Sequence, residues 1–508
     1  MAYRLLREFR QAHTHLDTPP FSLSHHPFSG IAPVRALQAS AVEVAEAALA
    51  RVATFEPYLH AFCTPTPELT RAEAARVDRA LAAGEPVGSL AGVPYGIKDL
   101  ICTKDVRTMS GSPAYAEFVP NEDDVVVERM REAGAVSLGK TNVPEFGYSG
   151  VGHNPVCETT RNPWDTERTP GGSSAGSGAA VAAGLCPIAL GSDGGGSVRI
   201  PASFCGLVGM KASMGRVPLY PGCRDERYPG VSSWESLEHI GPMTRSVRDA
   251  ALMLSVIAGP DDRDRHSIPC SDIDWLAAAV PRDVRGLRVA YSPDWGYAAV
   301  DPEVRRVVHE AVRVFESDLG CIVEQANPGF SDPYSAFWGV VAAESDLKGL
   351  RSIVAEHGAQ MTPHIVDFIM RAWTAEDFTN ANIVRKAVMN HMWRFMRRYD
   401  ILITPTLAVP PFALNIQGLE KIDGRMVQPF QWRAFTFPLN LTGQPAVSLP
   451  AGFTASGLPV GLQIIGRHLD DAAVLRAAAA FEAVRPWAQT WSALARQEMS
   501  STSGRAPP

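Results

Sequence analysis

Thr169–Ser213 reads TPGGSSAGSGAAVAAGLCPIALGSDGGGSVRIPASFCGLVGMKAS. Two Gly/Ser-rich clusters, PGGSSAGSG and GSDGGGS, bracket a small-residue run and an apolar run. The pattern predicts a helix over 179–184 and a strand over 186–190. Glycine is used where φ must be positive or where backbone must approach a ligand closely. In Gly194-Gly195-Gly196-Ser197 successive N–H groups can point into one concavity, a nest that suits an anion. With a serine at its end, the natural anion is the oxyanion of a tetrahedral intermediate. A tight strand-to-helix turn that needs glycine for sterics accounts for the same residues, and this stretch alone does not separate the two.

Outward from this stretch the chain alternates strands and helices. On the N-terminal side, 40–53 has helical spacing with Ser40 as N-cap. PYGIKDL (94–100) is a short apolar strand ending at a Lys-Asp pair. A helix over 124–133 with Gly134 as its cap leads into a strand over 135–140. On the C-terminal side, 286–291 is a strand and Asp301-Pro302 opens a helix that closes at Gly320. Two more helices are expected within 333–398, strands at 400–405, 445–450 and 459–465, and a last helix near 470–484. No repeat and no linker interrupts this. The expected fold is α/β: one large domain, 31–490, with a central mixed β-sheet covered by helices on both faces. Residues 1–30 are a polar N-terminal extension and 491–508 a disordered tail.

The chain has 508 residues, 46% of them hydrophobic, which suffices for a large core. Its formal charge is −7 and no Lys/Arg block stands out, which speaks against nucleic acid as a partner. The eight cysteines are scattered without a CxxC pair, so neither a zinc site nor a disulfide framework is implied. The N-terminus lacks a signal-peptide apolar core, and no run is long enough to span a bilayer. The expectation is a cytoplasmic protein with no membrane partner, no metal and no cofactor. It would act on a small-molecule amide, carbamate or ester, with a homodimer allowed.

A serine hydroxyl is a poor nucleophile until a base takes its proton. The first cluster supplies a second hydroxyl, Ser173. Lys98 supplies a base if burial lowers its pKa, and Ser-Lys variants of the catalytic triad exist. A plain surface lysine is the alternative at that position. Taken together the three elements resist a bland explanation.

Thr169–Ser213 closely resembles the amidase signature family. So do PYGIKDL, KTNVPEFGYSGVGHNPVCETTRNPWD (140–165), GPMTRSV (241–247) and FTFPLNLTGQPAVSLPAGF (435–453), in the family's order from about residue 33 to 485. The resemblance implies a Ser–cis-Ser–Lys triad of Ser197, Ser173 and Lys98. It implies an oxyanion hole on the backbone of Gly194, Gly195, Gly196 and Ser197, and substrate contacts at Gly147 and Ser149. Phe146, Tyr148, Met109 and Trp338 are pocket walls or plain core. Asp193 and Arg199 flank the nucleophile, either as an ion pair behind it that holds the loop or as a solvent-exposed pair. Many members carry Thr or Ile after the Asp of the GSD segment, and Gly194 here implies at most a looser loop.

Three rivals remain. Gly172–Gly176 fits GxSxG, with Ser174 as nucleophile, but that motif needs a strand directly before it. A nucleotide-binding loop would need GK[ST] or GxGxxG, and both are missing. The third is the glutaminase subunit of a tRNA-dependent amidotransferase. That branch usually has an acidic residue two positions before the FT segment to hold glutamine's amino group. Arg433 stands there instead, and the region RAWTAEDFTNANIV (371–384) lacks the branch's Tyr-rich helix. A stand-alone amidase for a less polar amide, anilide, carbamate or ester is therefore expected.

Overall fold

Apolar runs bounded by turns along the chain join into a single sheet of eleven strands. The computed structural model describes residues 39–221, 229, 230, 234–270, 272–487, 490, 492, 494 and 495. The strands are β1 (Phe62–Pro65), β2 (Pro94–Lys98), β3 (Val136–Thr141), β4 (Ile188–Ser192), β5 (Val208–Lys211), β6 (Ile240–Thr244), β7 (Arg288–Tyr291), β8 (Ile322–Gln325), β9 (Ile401–Pro405), β10 (Ala446–Phe453) and β11 (Pro459–Gly466). Across the sheet they run β1-β3-β2-β4-β6-β5-β10-β11-β9-β7-β8. The groups β3-β2-β4 and β9-β7-β8 are parallel, and every other pairing is antiparallel.

Side-chain alternation along β4 shows how the two faces are covered. Ala189 packs into a cluster with Val44, Ala48 and Val52 of helix Ala41–Leu59 and with Ala179–Ala182. Its neighbours Ile188 and Leu190 turn the other way, towards Val125–Val127 of helix Val125–Glu132 and Ala250–Leu254 of helix Val247–Ile257. The sheet is therefore mixed and helix-covered on both faces, as the sequence predicts. Ser40 caps the first helix in a full capping box with Glu43.

Two expectations need correction. Residues 333–398 hold four helices, not two: Tyr334–Glu344, Leu347–His357, Pro363–Met370 and Ala375–Met396. Each restart has its own signal. Asp346 accepts from Gly349 N, Pro363 opens the third helix, and Thr374 forms a capping box with Asp377. The small-residue helix spans Ala175–Ala182, four residues upstream of its expected start. Its Gly176 sits so close to the backbone of Ala61 and Asn142 that a Cβ there would collide with both.

The extension 1–30 lies outside the described residues. Within 491–508, Ser492 and Ala495 are buried and Leu494 packs against the cluster under helix Ala41–Leu59, so packing continues past 491. Among the described residues no helix is long and apolar enough to cross a membrane.

Candidate active site

β2 and β4 are parallel neighbours with Ile97 opposite Leu190, so their C-terminal ends lie side by side. Carboxyl ends of parallel strands are where side chains gather for binding in open α/β sheets. Lys98 is the last residue of β2 and Ser192 the last of β4. Lys98 Nζ lies 2.7 Å from Ser173 Oγ, 2.9 Å from Ser192 Oγ and 3.2 Å from Ser192 O. The lysine is wholly buried. Burial draws its pKa down to about 7, against the charges of Glu238 and Asp193, which act to raise it. Asp99 faces away, as strand alternation predicts, and its carboxylate accepts from Met109 N at 3.0 Å. Burial raises that carboxyl to about 6.

Lys140 and Lys211 are buried just as deeply. Lys140 donates to Ile101 O and to the hydroxyls of Thr103 and Thr108. Lys211 is drawn to about 7 by burial and donates to Gln444 O. Among these three, Lys98 is the one that meets a hydroxyl of the Gly/Ser clusters.

Ser173 follows Gly172 through a cis peptide bond. The next residue, Ser174, is fully committed. Its Oγ accepts from Ser192 N and donates to Ser192 O, both at 3.2 Å, which ties the first cluster to the end of β4. The GxSxG reading fails on this and on context, since 161–170 forms turns and isolated bridges instead of a strand.

Ser197 lies on the loop from β4 to helix Arg199–Cys205. Asp193 and Arg199 pair across it at 2.8 Å with no side-chain exposure, so the solvent-exposed alternative is excluded. The remaining guanidinium N–H groups donate to Thr436 O, Gln463 Oε1 and Asn440 Oδ1. Burial alone would raise the Asp193 carboxyl. The Arg199 charge and hydrogen bonds, with Lys211 and Asn440, outweigh that and hold it well below the usual carboxylate range. The same carboxylate accepts from Gly196 N at 2.8 Å and Val198 N at 3.3 Å. Gly196 N–H is thereby turned into the loop, while the amides of Gly194, Gly195 and Ser197 donate to no acceptor among the described residues. The Trp234 indole fills the space where a side chain at 194 would stand.

Ser173, Ser192, Ser197, Gly147, Gly194 and Glu238 line one small cavity of about 10 Å³, room for about one water. Phe146 and Trp234 form part of its wall. Trp234 packs edge-on against Tyr148 with ring centres 4.9 Å apart, and Tyr148 faces a second cavity of about 510 Å³. Trp338, Phe368, Trp373, Phe430 and His364 line that larger space. Of the residues expected at the substrate, Gly147 lines the small cavity, and a Cβ there would sit 3.2 Å from Ser173 Oγ. Ser149 instead donates to Gln417 Oε1, and it and Met109 line neither cavity.

Sequence reasoning missed Ser192, Trp234, Glu238, Thr436 and Asn440. Ser192 was within reach, because it stands two residues past the strand expected over 186–190 and adjoins Asp193. The others lie 37 or more residues from Ser197, and no local pattern ties them to it. Asn440 Nδ2 donates to Asp193 O, and Thr436 Oγ1 donates to Gly195 O at 2.8 Å, so a short helix from the far end of the chain clamps the loop.

The profile of the family described as Amidase matches residues 43–475. The chain belongs to the amidase signature family. Members similar to it include an acylamidase of Rhodococcus erythropolis, 40% identical over 455 residues, covering 88% of this chain and 92% of that one. A glutamyl-tRNA(Gln) amidotransferase subunit of Thermosynechococcus vestitus is 35% identical, covering 89% and 96%. Among solved structures, a bacterial aryl acylamidase of the family superposes with a TM-score of 0.83 at 31% identity, covering 94% and 98%. The structure of 6-aminohexanoate cyclic dimer hydrolase gives 0.81 at 29%, covering 93% and 99%. As a member of this family, the protein is a hydrolase of amide-type carbon–nitrogen bonds.

Proposed function

We propose that this amidase works by acyl transfer through Ser197, with Lys98 as proton acceptor and Ser173 as relay. The observation that carries the reading is the 2.7 Å approach of a fully buried lysine amine to Ser173, in the wall of the cavity that Ser197 also lines. A neutral amine has two N–H donors and one lone pair. Ser192 O and Oγ take the two donors, which leaves the lone pair for the Ser173 hydroxyl.

In the first step Lys98 takes the Ser173 proton, Ser173 takes the Ser197 proton, and Ser197 Oγ attacks the carbonyl carbon. The oxyanion is held by the free amides of Gly194, Gly195 and Ser197. Gly196 contributes by shaping the loop, since its own N–H belongs to Asp193. When the C–N bond breaks, Ser173 gives a proton to the departing amine and recovers one from Lys98. Water then repeats the sequence on the ester carbonyl and releases the acid. Every step is a proton transfer, an addition to the carbonyl carbon or loss of a leaving group from it, and none calls for a metal or organic cofactor.

The substrate we infer is a small-molecule amide, anilide or carbamate, with esters as secondary substrates. We assign the protein to the cytoplasm, with a homodimer as the assembly to look for. The similarity to glutamyl-tRNA(Gln) amidotransferase subunits makes a glutaminase component of such a complex the second reading. Arg433 argues against it, since a buried cation repels glutamine's α-ammonium group. The test is covalent labelling. A fluorophosphonate probe should modify Ser197, and Ser197→Ala should abolish both labelling and hydrolysis. A label on Ser174 instead would overturn the mechanism.

A further inference from the structure

Arg433 is 5% exposed, and its Nε and Nη2 atoms have no hydrogen-bond partner among the described residues. No carboxylate among the described residues forms an ion pair with it. Its guanidinium carbon stands 5.4 Å from the centre of the Trp338 ring and 5.1 Å from that of Phe430, two walls of the larger cavity. Burial draws its pKa to about 10, so it is still a cation at neutral pH. Stacking on aromatic faces repays only part of the cost of burying a charge.

Arg433 thus stands behind the cavity wall, against Trp338 and Phe430, and a second polar group lies on the cavity itself. His364 lines it, and its Nε2 also has no hydrogen-bond partner among the described residues. Burial, then the Arg433 charge, lower His364 to about 4, so it is neutral. The acidic groups on this cavity do not neutralise Arg433. Asp377 caps a helix through Thr374 and lies 3.7 Å from Arg371, and Asp367 is exposed at the rim. The cavity is also next to the reacting centre. Thr436 Oγ1 joins Arg433 O at 3.0 Å to Gly195 O at 2.8 Å, and Phe337, beside Trp338, packs on Gly195.

We propose that the larger cavity binds the part of the substrate that carries a carboxylate on an aromatic or apolar body, with Arg433 as the anion anchor and His364 beside it. The preferred substrates are thus anionic amides, which inverts the charge preference of an enzyme that holds an ammonium group. Phe430 is half-buried and stands between the cavity and the guanidinium, so the proposal requires its ring to turn aside when the carboxylate binds. This inference rests on the acyl-transfer reading above.

The test uses matched amides on the full-length enzyme. On the acyl side, glutaric acid mono-4-nitroanilide is compared with pentanoic acid 4-nitroanilide. On the amine side, N-acetyl-4-aminobenzoate is compared with N-acetyl-4-aminobenzamide. The wild type should favour the carboxylate member of one pair in kcat/KM by tenfold or more. Arg433→Met should shift that carboxylate-to-neutral ratio by on the order of 100-fold, mainly through KM, and Arg433→Lys should restore part of it. Preference for the neutral member in both pairs, or an Arg433→Met ratio equal to that of the wild type, overturns the proposal. Should Arg433→Met fail to fold, competitive inhibition of the wild type decides: benzoate should bind at least tenfold tighter than benzamide, and equal binding overturns the proposal. Fluorophosphonate labelling of Ser197 separates the two readings. With labelling intact and no charge preference, only the anion site is wrong. Without labelling, the acyl-transfer reading fails first.

Discussion

Replacing Lys98 by methionine removes the amine while keeping a side chain of similar length in the buried space beside Ser173. The wild-type lysine sits at about 7, where a free lysine titrates near 10.4. If the neutral amine is the proton acceptor, about half of the enzyme is active at pH 7 and about a tenth at pH 6. The rate should therefore fall about tenfold from its plateau by pH 6. A general base typically contributes 10²–10⁴-fold, so Lys98→Met should lose that factor at the plateau. Lys98→Arg should not recover it, because guanidinium stays protonated. Removing the amine should move stability in the opposite sense to activity. Between pH 7 and about 10.4 the unfolded chain holds a proton on Lys98 that the native state has released, so native stability rises with pH across that window. Below pH 7 both states are protonated and the native state carries the full penalty of a buried charge, of order 4–5 kcal/mol at about 1.4 kcal/mol per unit. Lys98→Met should thus be more stable than wild type at pH 6. Its stability should also rise less steeply between pH 7 and 10, with Lys211 still supplying part of the slope. The assays are initial rates on a chromogenic anilide from pH 5.5 to 10 and urea unfolding at the same pH values. A variant within tenfold of wild-type rate at every pH, or a wild-type profile with no ionisation near 7, would refute the reasoning.

Two further outcomes follow from the same loop and wall. Asp193→Ala should destabilise the protein by about 3–5 kcal/mol in urea unfolding, because it leaves Arg199 buried and uncompensated. It should also slow fluorophosphonate labelling of Ser197, since the acceptor that fixes Gly196 N–H is gone. Glutamine should be a poor substrate, with ammonia release at least 100-fold below that from a good anilide. Efficient glutaminase activity would mean that another carboxylate holds the α-ammonium group.

The chemistry-bearing loops and the class of fold are legible in the amino-acid order alone. Gly194–Ser197 and Gly172–Ser173 can be read because they are local, and glycine and serine in such runs have few other uses. The alternating apolar runs mark most strands for the same reason, since burial on a sheet imposes period two over a handful of adjacent residues. Helix restarts at Asp346, Pro363 and Thr374 are written locally too, in caps that a reading of two helices over 333–398 passes over. Which distant groups meet is a matter of packing. Lys98, Lys140 and Lys211 look alike in sequence, and all three are buried. Only the parallel pairing of β2 with β4 brings Lys98, and not the others, against Ser173 and Ser192. The same holds for Arg433. Its type was readable as a missing acid, but its isolation among aromatic rings depends on chain segments nearly a hundred residues apart, as with Trp338. A local pattern records what each residue prefers, whereas partners and dielectric environment come from the packing of the whole chain, and they decide whether a charge is a base, a strut or an anchor.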